Sequence, residues 1–231
     1  SRGLGYVYKR QVYISFSSLS KFFGPTLEVA EQILLQPLFP EDELRAYCEK
    51  RKQTLTIERR KVDTVVREIF AEALFGDKHP YGISYPEKDY DTLTRADLES
   101  LYRRLYTAEN CLVVCSGRIG EEELQGIGAL AEKLPRADRS ATADFPAPRS
   151  EAYRFVERPD AVQSSLRVGR LLFTRTHPDF VGMQVVATVL GGYFGSRLMQ
   201  NLREEHGYTY GVAAAMVNFE RAGYFAVATQ T

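Results

Sequence analysis

Residues 191–212, GGYFGSRLMQNLREEHGYTYGV, decide how this chain is read. The run SRLMQNLREEH has helical spacing, Gly207 is a stop of the kind helix ends favour, and YTYGVAAAMV continues as a strand. The helix thus stops abruptly on glycine and hands over to a strand. Gly191, Gly192 and Gly195 match neither phosphate-binding fingerprint, so they predict a tight turn and close helix packing. On side-chain physics alone, Arg203 complements the negative helix end, Glu204 and Glu205 face water, and His206 is a terminal residue. Tyr208 and Tyr210 then pack one face of the strand.

Outward from that junction, composition bounds the function. The 231 residues are 44% hydrophobic, enough for a real core, and thirty basic residues balance thirty acidic ones. Zero net charge without a basic block excludes an electrostatic footprint for nucleic acid. No stretch approaches the roughly 18 apolar residues of a membrane span, and SRGLGYVYKR has no signal-peptide core. The expected compartment is cytoplasmic, with the periplasm as the alternative if a signal peptide has been lost. The odd cysteine count, Cys48, Cys111 and Cys115, argues against a disulfide framework. Cys111 and Cys115 in a strand stand roughly 13 Å apart, beyond disulfide reach, and are expected to be buried thiols.

Periodicity places the remaining elements. The first eighteen residues alternate as strand, and Pro25 opens a helix with a Leu27, Ala30, Ile33, Leu34 stripe. One long helix is expected from Glu41 to a stop at Gly76, then a loop, DKHPYGISYPEKDYD. Thr94 and Asp97 read as a capping box, NCLVVCSG as a strand buried on both faces, and GEEELQGIGALAEKL as a helix with an acidic first turn. Residues 136–150, with Pro146, Pro148 and small polar residues, form the linker. Beyond it AYRFVERP, AVQSSLRVGRLLF, YTYGVAAAMV and AGYFAVATQ read as strands, and HPDFVGMQVVATVLGG and GSRLMQNLREEHG as helices. A weak echo between GLGYVYKRQVYISFSS and GYTYGVAAAMVNF suggests two offset copies of one unit.

Catalytic signatures are sparse. His79, His177 and His206 are isolated from one another, so none completes a helical zinc motif of the H-x-x-E-H kind. No nucleophile elbow or phosphate loop occurs, and no cysteine has an activating setting.

Taken together, LLQPLFPEDEL, ALFGDKHPYG, LTRADLESLYRRLYTAENCLVVCSGRI and GGYFGSRLMQNLREEHGYTYGV resemble the M16 family of zinc metallopeptidases, the pitrilysin, insulysin and mitochondrial processing peptidase group. The resemblance covers almost the whole chain. It implies an α+β fold of two M16 (LuxS/MPP-like) halves, each an antiparallel-rich mixed sheet packed with helices. Residues 1–135 would be the later part of the first half, 136–150 the linker, and 151–231 the earlier part of the second half. The zinc motif would lie upstream of Ser1.

The resemblance also assigns residues. The family's third zinc ligand is a glutamate, preceded seven residues earlier by another; ungapped alignment puts Thr54 and Tyr47 at those positions. A neutral threonine hydroxyl cannot supply the anionic ligand, and Glu58 would substitute only if the register shifted. The substrate-binding pair is intact as Arg203 and Tyr210. No metal ligand and no catalytic residue is therefore expected in this chain alone, with zinc in a partner chain or in the upstream segment. The expected protein is a non-catalytic M16 subunit that binds peptide or unfolded polypeptide and completes the site of a zinc-bearing partner or homodimer. The alternatives are a structural core-protein scaffold and an active endopeptidase with H-x-x-E-H upstream.

Overall fold

The computed structural model describes residues 4–8, 11–137, 146–148, 150–151 and 153–231. In chain order the elements are β1 (Leu4–Tyr8), β2 (Gln11–Ser15), α1 (Phe23–Leu35), α2 (Glu41–Glu58), α3 (Val62–Phe75), α4 (Arg95–Leu105) and α5 (Glu121–Lys133). These are followed by β3 (Ser165–Leu172), α6 (Phe180–Ala187), α7 (Met199–Glu205), β4 (Val212–Asn218) and β5 (Gly223–Gln230). Contacts group them into two compact units, Ser1–Cys48 with Thr92–Ala143, and Glu49–Asp91 with Asp144–Thr231. Most of the expected linker, residues 136–150, lies outside the described residues.

In the first unit the opening strand-like segment is an antiparallel hairpin, with Leu4 opposite Ser15 and Tyr8 opposite Gln11. Helices α1 and α5 pack together: a Cβ on Gly126 would stand 3.0 Å from Leu27, and Lys133 Nζ donates to Glu31 at 2.7 Å. Tyr102 of α4 donates its hydroxyl to Leu34 O at 2.5 Å and meets Phe39 edge-on. Burial pushes the Tyr102 hydroxyl up from its ordinary pKa. The capping box at α4 is complete: Asp97 N–H donates to Thr94 Oγ1, and Thr94 N–H to the Asp97 carboxylate. Gly120 N–H likewise donates to Glu123, at 2.8 Å, opening α5.

NCLVVCSG is a correction. Residues 111–116 form no strand; Leu112 is 87% and Val114 82% exposed, and Cys111 and Cys115 are exposed while Cys48 is buried. An apolar run has the same composition whether or not partner strands cover it, so sequence could not separate the two outcomes.

The second unit is built on a three-stranded antiparallel sheet of order β3-β5-β4. Ser165 faces Gln230 and Leu172 faces Gly223 across one ladder, and Val212 faces Thr229 across the other. Phe75, 1% exposed at the end of α3, centres an aromatic cluster. His79 stacks on it at 5.0 Å, Tyr81, Phe219 and Tyr224 surround it, and Phe70 meets Tyr224 edge-on. Two aromatic residues of the DKHPYG turn thus belong to the core. AYRFVERP forms no strand among its described residues, where Tyr153 is 78% and Phe155 71% exposed.

The expected helix from Glu41 to Gly76 is interrupted between Glu58 and Val62. ERRK contains no glycine or proline, so nothing local announces a break. The Arg59 guanidinium pairs with Glu68 at 3.2 Å and also reaches Ser84 Oγ and Tyr85 O. A continuous helix would separate positions 59 and 68 by about 13.5 Å along its axis. Arg167 on β3 reaches Asp63 at the start of α3, at 3.1 Å, tying that helix to the sheet.

Candidate functional site

The junction from α7 to β4 is held by a set of unusual backbone turns. Helix α7 is wound with i→i−5 hydrogen bonds, a widening that recurs at functional sites. It ends through His206 N–H to Asn201 O, Gly207 N–H to Arg203 O and Tyr208 N–H to Leu202 O. Gly207 has φ +63°, a left-handed conformation that glycine adopts without a Cβ penalty, and this turns the chain back towards the sheet. Val212 N–H then donates to Met199 Sδ at 3.4 Å, joining the start of β4 to the start of α7.

Between the two elements, Thr209 is the inward residue. Its hydroxyl lies 2.5 Å from Gln230 O and accepts from the Thr229 hydroxyl and from Gly211 N–H. The residues on either side of that anchor lie outward. Tyr208 is 62% and Tyr210 91% exposed, so the expected packing of these tyrosines on a strand face is corrected. The ring of His206 stacks on Tyr208 at 5.0 Å, and the Tyr210 hydroxyl has no hydrogen-bond partner among the described residues.

Arg203 is on the same junction. Its guanidinium carbon lies 4.3 Å from the centroid of the Phe194 ring, and Nη1 is 3.5 Å from Glu204. Sequence reading did not single out Phe194; the available signal was its place in the glycine-flanked YFG of GGYFGSRL. The close packing expected of those glycines is found at Gly191, where an added Cβ would stand 2.6 Å from Ala214 N on β4. An arginine fork and a phenol at one exposed junction can both donate hydrogen bonds to a carbonyl or carboxylate.

The residues assigned to the metal question lie on α2. Thr54 is half-buried and its hydroxyl donates to Lys50 O at 2.9 Å, a local bond back along the helix. Tyr47 is 58% exposed. Glu58 lines an open groove of about 880 Å³, together with Arg51, Lys61, Asp63, Arg67 and Glu68. Among the described residues no three His, Cys, Asp or Glu side chains cluster to hold a metal ion. His79 is buried in the aromatic cluster, where Nδ1 accepts from Tyr81 N–H. His177 stacks on Phe173 at 4.1 Å, with Nδ1 accepting from Asp179 N–H. Among the described residues, no helix is long and apolar enough to cross a membrane.

Comparison with known proteins places the chain in a family. Residues 92–231 match the family described as peptidase M16 inactive domain. An uncharacterized zinc protease of Mycobacterium tuberculosis is 30% identical over 174 residues, covering 71% of this chain and 39% of that protein. The chain thus spans well under half the length of that relative. The crystal structure of a peptidase M16 inactive domain from Pseudomonas fluorescens superposes with a TM-score of 0.85 at 25% identity, over 100% of this chain and 57% of that one. A chain of complex III2 from Candida albicans shares the fold, with a TM-score of 0.66 at 11% identity over 91% of this chain and 51% of its own. On the strength of the match across residues 92–231, this chain belongs to the peptidase M16 family and carries that family's inactive domain.

Proposed function

We propose that this chain is the non-catalytic part of an M16 peptidase assembly, binding an extended peptide and presenting Arg203 and Tyr210 to it beside a zinc held by a partner chain. The observation that carries this reading is the presentation of both side chains at one junction, with Tyr210 91% exposed and its hydroxyl free of any described partner. A peptide carbonyl accepts from the guanidinium fork and the phenol, and the two donors stabilise negative charge as it develops on that oxygen. Thr54 supports the same reading, because its neutral hydroxyl is already committed to Lys50 O.

The test uses the full-length protein, alone and with its zinc-bearing partner. The lone protein is expected to have no peptidase activity. In the complex, Arg203→Ala and Tyr210→Phe are each expected to lower the rate by about 10²-fold. Cleavage by the lone protein, or unchanged rates for both variants, would sink the reading.

A second reading is favoured by the name zinc protease carried by the Mycobacterium tuberculosis relative. Under it, an H-x-x-E-H motif outside residues 1–231 makes the full-length protein an endopeptidase by itself. Stoichiometric zinc in the purified full-length protein, together with activity abolished by a chelator, would select this second reading.

A further inference from the structure

We propose that Phe194 is a positioning residue for Arg203: its ring holds one face of the guanidinium so that the N–H edge stays directed outward for ligand. This rests on the reading that Arg203 binds peptide. The contact is face to cation, 4.3 Å from guanidinium carbon to ring centroid. Stacking occupies the flat face of the guanidinium and leaves its in-plane donors available, whereas an ion pair consumes them. The ion pair that Arg203 does make is with adjacent Glu204, at 3.5 Å with both side chains partly exposed, where salt screens it.

The loop has a structure suited to this task. Phe194 is 65% exposed, so burial in the core does not explain its position. It sits on a short bridge between two buried residues, Gly191 and Ser196. Gly191 is pressed against Ala214 of β4, and Ser196 N–H donates to Tyr193 O while Ser196 O accepts from Gln200 N–H. Ala214 lies four residues beyond Tyr210 on the chain that carries it. One close backbone contact therefore sets the loop bearing Phe194 against the strand that follows Tyr210. An arginine on an exposed helix end otherwise samples many rotamers and loses that freedom on binding; a ring beneath it restricts them beforehand.

The test combines spectroscopy with binding. In the full-length protein, the Arg203 side-chain NMR signals are expected to carry a ring-current shift that disappears in Phe194→Leu and persists in Phe194→Tyr. Affinity is then measured for a fluorescein-labelled unfolded polypeptide, reduced and carboxymethylated lactalbumin. Phe194→Leu is expected to weaken binding about three- to fivefold, Phe194→Tyr to restore it, and Phe194→Leu to add nothing in an Arg203→Ala background. Equal weakening in both backgrounds, or Arg203 signals unmoved by Phe194→Leu, would overturn the inference. If Arg203→Ala leaves polypeptide binding unchanged, the peptide-binding reading falls, and the ring-current shift still decides whether Phe194 orients the guanidinium.

Discussion

At the scale of single residues, chemistry depends on exposure that sequence does not carry. Arg203 and Tyr210 were legible as a spaced pair across a glycine turn, because the spacing itself carries the resemblance. Their presentation was not: Tyr210 is outward because Thr209 is anchored inward by Gln230 and Thr229, residues twenty or more positions away. Charge alone is not expected to substitute at 203. Arg203→Lys keeps the cation but loses the planar fork and its ring stacking, so polypeptide affinity should stay near that of Arg203→Ala. The cysteines give a second check at this scale. A thiol reagent is expected to modify Cys111 and Cys115 rapidly in the native protein and Cys48 only after unfolding, counted by mass spectrometry of the native and the denatured sample. Rapid native labelling of Cys48 would contradict its burial.

At the scale of elements, what could be read was local. The α4 capping box needs only Thr94 and Asp97, three residues apart, and it formed as expected. Thr94→Ala is expected to cost about 1 kcal/mol, read from a urea midpoint. Hydrogen bonds from the Thr94 hydroxyl and backbone N–H hold the Asp97 carboxyl below the usual carboxylate range. A depressed folded pKa means that this stabilisation is present above the unfolded value, near 3.9, and is lost as pH falls through the lower folded value. The stability difference between wild type and Asp97→Asn should therefore be constant near neutral pH and shrink below about pH 4. A difference that grows on acidification would reverse the assignment. The break between α2 and α3 was not legible, because it depends on Arg59 meeting Glu68, Ser84 and Tyr85 rather than on any helix-breaking residue.

At the scale of the whole molecule, the second unit depends on aromatic packing around Phe75. Phe75→Ala is expected to destabilise by about 3–5 kcal/mol, and Phe75→Leu by less, measured by denaturant unfolding. A loss below about 1 kcal/mol for the alanine variant would show that the cluster is not central. Sequence by itself determined the order of most helices and strands, the helix caps and the family, because periodicity, caps and motif spacing are relations between near neighbours along the chain. Tertiary structure alone decided that NCLVVCSG lies exposed without strand partners, that His79 is a core aromatic, that the Glu41–Gly76 helix is interrupted, and that Arg203 rests on Phe194. Each of these is settled by contact between distant segments, or by the want of it, and burial and ring stacking arise only from such contacts.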